Sequence, residues 1–387
     1  MYSVHQHWDP LKVCVVGKSY PPEFYDYITN KKVRSVFYKI AEETEEDYQK
    51  LLNKLESFGI TTIRPDVAER YQDATILHDG KIKMPPMYPR DITAMIGDQF
   101  FAPPPGTNKE LTNLIKQKVD IYKNGKLAPW AKEILHGRPN SLTYHEEVRP
   151  LVNLVAKQGN TITYTNFQDI FDEEVNEMFK WPLNTAMISR IGKDLYFGTE
   201  VFKTPLNIDH YKKTVAKFFP NYRCHIVDTQ GHYDSVFCPV VPGLIVSLKE
   251  VENYSETFPG WEIIYLPNQS FDSIPEFLKL KEKNAGKWWV PGQELNNDFT
   301  DYVEKWMNHW VGYVEETVFD VNMLVIDEKN VLCNGYNQQV FDAFSKRGIT
   351  AHVINMRHRY FWDGGIHCMT SDLHREGIQK DYFPERG

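Results

Sequence analysis

The stretch Val236-Phe-Cys-Pro-Val-Val-Pro-Gly-Leu-Ile-Val-Ser247 reads as two short apolar strands joined by a tight Pro242-Gly243 turn. β-branched and apolar residues flank turn formers, the signature of a β-hairpin. The same pattern recurs elsewhere. Residues 92–102 turn at Gly97-Asp98, residues 186–198 at Gly192-Lys193-Asp194, and residues 322–334 at Asp327-Glu328-Lys329-Asn330. Single apolar strands stand at 12–17, 61–65, 261–267 and 351–356. Residues 45–59 and 337–350 carry apolar side chains at helical spacing and close at Gly59 and Gly348. Hairpin, helix and strand therefore follow one another several times, with an irregular period and a large insertion at about 106–180. Repeated αβ units can stack radially like propeller blades, each burying a face against its neighbours. An ordinary α/β sheet is the alternative that pattern alone leaves open.

The 387 residues are 42% hydrophobic, 14% aromatic and 25% charged, ample for a buried core and unlike a disordered chain. Lys and Arg number 44 against 52 Asp and Glu, so the net charge is −8. That balance argues against a phosphate-tracking nucleic-acid binder and is compatible with a cationic ligand. No apolar run approaches the ~18 residues of a membrane span, and the first residues lack a signal or transit pattern. Five scattered cysteines, Cys14, Cys224, Cys238, Cys333 and Cys368, read as reduced, intracellular thiols and not as a disulfide framework. No C-x-x-C or H-E-x-x-H zinc pattern and no phosphate-cradling G-x-x-x-x-G-K-[ST] loop occurs.

The residues just before each hairpin are polar where the strands are not. They are Tyr88-Pro-Arg-Asp91, Leu183-Asn-Thr185, Gly231-His-Tyr-Asp234 and Glu315-Glu-Thr-Val-Phe-Asp320; Asp363-Gly-Gly-Ile-His-Cys368 stands near the C-terminus. Radial stacking would bring these points together. A lone cysteine is most often a small buried hydrophobe. Cys368 differs because Gly364-Gly365 precede it, and glycines allow unusual backbone angles and close approach of a substrate. On an extended segment the neighbouring His367 would point to the opposite face. His232 and Asp234, two residues apart, would share one face of a strand, either as acid–base groups or as a structural ion pair.

These motifs together resemble the amidinotransferases of the guanidino-group-modifying (pentein) superfamily, of the arginine:glycine amidinotransferase type. The resemblance runs nearly end to end. Trp8-Asp-Pro-Leu11 with Val13-Cys-Val-Val-Gly17 resembles the family's opening strand, and Pro89-Arg-Asp91 its first active-site loop. His232-Tyr-Asp234 falls on its His-x-Asp motif. Gly364-Gly-Ile-His-Cys368-Met-Thr resembles its nucleophile motif, continued by Asp372, Arg375 and Gly377. The resemblance implies an α/β fold, a pentein β/α-propeller of pseudo-five-fold ββαβ repeats around a central active site, as one domain over 1–387. It implies Cys368 as nucleophile, His232 as acid–base, and Asp91 and Asp234 as a clamp on a guanidinium. The implied activity moves the amidino group of L-arginine to an amine acceptor such as glycine through an amidino-cysteine, without metal or cofactor, in a cytoplasmic homodimer. A pentein hydrolase (deiminase or dihydrolase) and a non-catalytic binding module are the alternatives.

Three positions depart from the family pattern. The second-hairpin carboxylate that partners the histidine falls on Met187, within Asn184-Thr-Ala-Met187. Val251 falls near the place of an arginine that holds the substrate carboxylate, and Glu315-Glu316 replace paired serines. Glu315 or Glu316 is therefore expected to supply the missing acid or to select a substrate tail bearing an amine.

Overall fold

Gly97, Gly192 and Gly243 take φ of 58°, 64° and 85°, the left-handed turn conformation that closes three of the hairpins. The computed structural model describes residues 1–65, 85–102, 145–164, 185–198, 218–229, 232–248, 253–266, 288–307 and 321–387, plus short pieces at 122–123, 126–127, 169–172, 177–180, 212–213, 215–216 and 311. Ala94–Ile96 pairs antiparallel with Gln99–Ala102, Ile188–Ile191 with Asp194–Gly198, Phe237–Val241 with Leu244–Ser247, and Leu324–Asp327 with Asn330–Cys333. The second strand of each hairpin then pairs in parallel with a third: Thr161–Tyr164, Arg223–Val227, Glu262–Tyr265 and Thr350–Val353. A parallel neighbour needs a crossover, which is why helical segments fall between.

The remaining sheet joins the two ends of the chain. Leu11–Val16 pairs antiparallel with Thr370–Arg375 and in parallel with Thr61–Ile63. Five three-stranded sheets therefore stand among the described residues, each a hairpin plus a parallel strand. They remain separate sheets and do not close into a barrel. The repeat read from the four hairpins holds, and the fifth unit borrows its first strand from the C-terminus.

The crossover helix of that fifth unit, Lys31–Ser57, begins well before the 45–59 read from periodicity. Val33, Phe37, Ile40, Ala41 and Thr44 extend the buried stripe of Tyr48, Leu51, Leu52 and Leu55 toward the N-terminus. Asn30 caps it, its side chain accepting from the amides of Lys32 (3.0 Å) and Val33 (3.4 Å), worth about 1 kcal/mol. The stripe packs with Met87, Tyr88, Phe361, Trp362 and Cys368 in one core cluster, so the helix supports the C-terminal motif from behind. Within 106–180 lie the helix His145–Lys157 and the strand Thr161–Tyr164 that pairs with Gln99–Ala102, and the rest of that range is mostly outside the described residues.

Candidate active site

Four of the polar approaches are hydrogen-bonded to one another. The Arg90 guanidinium donates through Nε to the His367 carbonyl (2.8 Å), and Thr185 Oγ1 donates to the Arg90 carbonyl (2.5 Å). Asn322 Nδ2 donates to the Asp234 carbonyl (3.2 Å), and its Oδ1 accepts from the amides of His367 (3.0 Å) and Cys368 (3.2 Å). The short helical turns Pro89–Ile92, Thr185–Met187 and Tyr233–Ser235 also pack together. Five hairpin approaches thus contribute Asp91, Met187, Asp234, Asn322 and Cys368, each just before the first strand of its unit.

The loop that carries Cys368 is shaped differently from the sequence expectation. The left-handed residue is Asp363 (φ 58°, ψ 48°), and neither glycine after it needs a positive φ. Gly364 and Gly365 are required for close packing. A Cβ on Gly364 would stand 2.2 Å from the Tyr88 ring, and one on Gly365 2.5 Å from Asn322 Oδ1. Residues 366–369 form a turn and not an extended segment, stitched by Thr370 Oγ1 donating to the Ile366 carbonyl (2.8 Å). The turn removes the alternation expected of His367 and Cys368, and both side chains reach one carboxylate oxygen. His367 Nδ1 lies 2.6 Å from Asp234 Oδ2, and Cys368 Sγ donates to the same oxygen at 3.4 Å.

The His232–Asp234 expectation is corrected in the same way. His232 caps the one-turn 3-10 helix Tyr233–Ser235, so the two side chains do not alternate along a strand. His232 is half-buried, and its charge still acts on both Asp234 and Asp91. Met187, where the family has a carboxylate, is a buried apolar side chain. Asn184, Val251, Glu315 and Glu316 lie outside the described residues.

Electrostatics follow from the burial. Burial raises Asp234, but the His367 hydrogen bond and charge outweigh it and hold the carboxyl below its usual range. Burial and the Arg90 charge push His367 down to about 4, so its ring is neutral near pH 7. We assign the proton to Nδ1, donated to Asp234, leaving Nε2 to accept from Tyr233 OH at 3.4 Å. Burial pushes Asp91 up to about 7, with Asp234 adding to the shift and His232 opposing it. Burial, Asp234 and Asp91 all push the Cys368 thiol well above its usual value, and the Asn322 amide opposes them. Asp91 Oδ1 and Asp234 Oδ1 are buried atoms without a hydrogen-bond partner. A planar cation with several N–H donors would satisfy such oxygens and favour the thiolate beside them. Among the described residues no group of three His, Cys, Asp or Glu side chains is arranged to hold a metal ion.

No protein-family model matches the chain. Glycine amidinotransferase, mitochondrial, from Xenopus tropicalis is 22% identical over 98% of this chain and 84% of its own length. Inosamine-phosphate amidinotransferase 1 from Streptomyces glaucescens is 20% identical over 99% of both. The solved structure of an amidinotransferase from Microseira wollei, of the saxitoxin biosynthetic pathway, matches over 99% of both chains with a TM-score of 0.60 at 16% identity. This chain has the pentein fold of the amidinotransferases. These relatives support amidino transfer as the general chemistry, and the solved structure supports the fold. Among the described residues, no helix of this pentein is long and apolar enough to cross a membrane. Its Asn322 was absent from the sequence-based site. An asparagine ahead of a strand reads as an ordinary turn former, and only its position before the fourth hairpin, matching Asp91 and Asp234 before theirs, marks it.

Proposed function

We propose that the protein transfers the amidino group of L-arginine, or of a related guanidino donor, to an amine acceptor such as glycine. One observation carries the reading: a cysteine sulfur hydrogen-bonded to a carboxylate whose other oxygen, like that of Asp91 nearby, has no partner. The guanidinium binds against Asp91 and Asp234 and takes the place of the thiol proton, which passes to His232, as partner to Asp234. The Cys368 thiolate attacks the guanidino carbon, and His232 protonates the departing amine as the C–N bond breaks. The acceptor amine then attacks the amidino-cysteine, gives its proton to His232, and the C–S bond breaks. Glu315 and Glu316 are our candidates for contacts with the substrate tail. The family resemblance and the five free cysteines support a homodimer in the cytoplasm.

Mass spectrometry of the protein incubated with arginine, with and without glycine and other amines, tests this. We expect a Cys368 adduct with release of ornithine, and a guanidino product only when an amine is supplied. Citrulline would indicate the hydrolase instead, and an unchanged protein with unchanged arginine would sink both.

A second expectation concerns the proton carrier. His232→Asn should lower the rate on the order of 10²–10⁴-fold if His232 moves the amine proton. A variant as active as the wild type from pH 6 to 9 would remove His232 from the mechanism.

A further inference from the structure

Asn322 sits at the point where the nucleophile loop meets the third and fourth hairpin approaches, and it is fully buried. Its side chain makes a closed set of contacts. Nδ2 donates to Cys368 Sγ at 3.0 Å and to the Asp234 carbonyl at 3.2 Å. Oδ1 accepts from the His367 and Cys368 amides, which fixes which end of the amide faces sulfur. Asn334 locks the arrangement in turn. Its Nδ2 donates to the Asn322 carbonyl (2.8 Å), and its Oδ1 accepts from the Ile366 amide (3.0 Å). The Gly365 backbone comes close enough for these bonds only because it has no Cβ.

The surroundings of the sulfur otherwise oppose a thiolate. It is buried, and Asp234 Oδ2 stands 3.4 Å away. Among the described residues, the Asn322 amide is the side chain that donates a hydrogen bond to it. A donor aimed at sulfur favours the charged form over the neutral one. We propose that Asn322 is the positioning residue of this site, holding Cys368 in place and stabilising its thiolate through the Nδ2 donor. The proposal deepens the amidinotransferase reading but is tested without it, because alkylation of a thiol requires no guanidino substrate.

The experiment follows iodoacetamide alkylation of Cys368 by peptide mass mapping from pH 6 to 10, alongside thermal melts, in the full chain. Asn322→Asp keeps the shape and loses the donor, and Asn322→Ser removes the amide. In both, the midpoint of reactivity should move up by about one pH unit or more, a drop of at least about tenfold at fixed pH below it. Thr370→Val is the control. It removes the hydroxyl that donates to the Ile366 and His367 carbonyls and leaves the sulfur untouched, so its midpoint should stay at the wild-type value. Unshifted midpoints in the Asn322 variants would overturn the proposal. So would an equal shift in Thr370→Val, or failure of both Asn322 variants to fold, since either would make the residue's role purely structural.

Discussion

Cys368→Ser is expected to abolish both turnover and the arginine-derived adduct while the melting temperature stays near that of the wild type. Oxygen for sulfur changes little volume in a side chain that is 7% exposed, so packing with the core around Tyr88 and Trp362 should survive. The chemistry should not survive, because a serine hydroxyl lacks the nucleophilicity of a thiolate at neutral pH. The other cysteines offer no substitute. Burial pushes Cys14, Cys224 and Cys238 each up to about 12, and Cys14 and Cys238 lie inside strands. Cys333 ends a buried strand. Iodoacetamide labelling in step with activity loss checks the assignment. Inactivation that tracks Cys224 or Cys333 would show it to be wrong, and an arginine adduct on the serine variant would do the same.

The parts of this architecture legible in the sequence were those set by near neighbours. Alternating apolar residues around Gly97, Gly192 and Gly243 reveal a hairpin because the turn and its two strands are contiguous. The strand Thr370–Arg375 was not read, for the opposite reason. Its polar residues, Asp372 and Arg375 among them, are buried by partners from far along the chain, so its pattern does not look like a core strand. The candidate site divides similarly. Asp91, Asp234 and Cys368 stand out by motif. Their geometry does not, because period-two reasoning assumes extended backbone where the chain forms a 3-10 turn at 233–235 and a turn at 366–369. The Asp234–His367 pair follows from that turn. It gives the carboxylate a neutral histidine partner, which no spacing rule reveals.

Asp372→Asn is expected to destabilise the protein by about 3–5 kcal/mol, the usual cost of removing one partner from a buried charge network. The Asp372 side chain is 1% exposed and meets three guanidinium groups. Arg190 reaches both of its oxygens at 2.8 and 2.9 Å, Arg375 Nε donates at 2.6 Å, and Arg90 lies at 3.1 Å. Burial raises the carboxyl, yet the charges of Arg190, Arg375 and Arg90 outweigh it and hold it well below the ordinary carboxylate value. A depressed folded-state value means that the stabilisation is present above the unfolded value near 3.9 and fades only as pH falls through the folded one. The wild type and the variant should therefore differ by a constant amount from neutral pH to about 4, and converge only in stronger acid. Urea unfolding at pH 7 and pH 4.5 checks both the size and the sign. Asp381→Asn, which loosens a partly exposed pair with Arg223, serves as the comparison and should cost far less, because solvent screens the pair. A similarly small loss in Asp372→Asn would mean that the three arginines find other acceptors. The network matters beyond stability because Arg90, once released, no longer holds the His367 carbonyl, and the loop carrying Cys368 loses one of its ties to the Pro89–Ile92 turn.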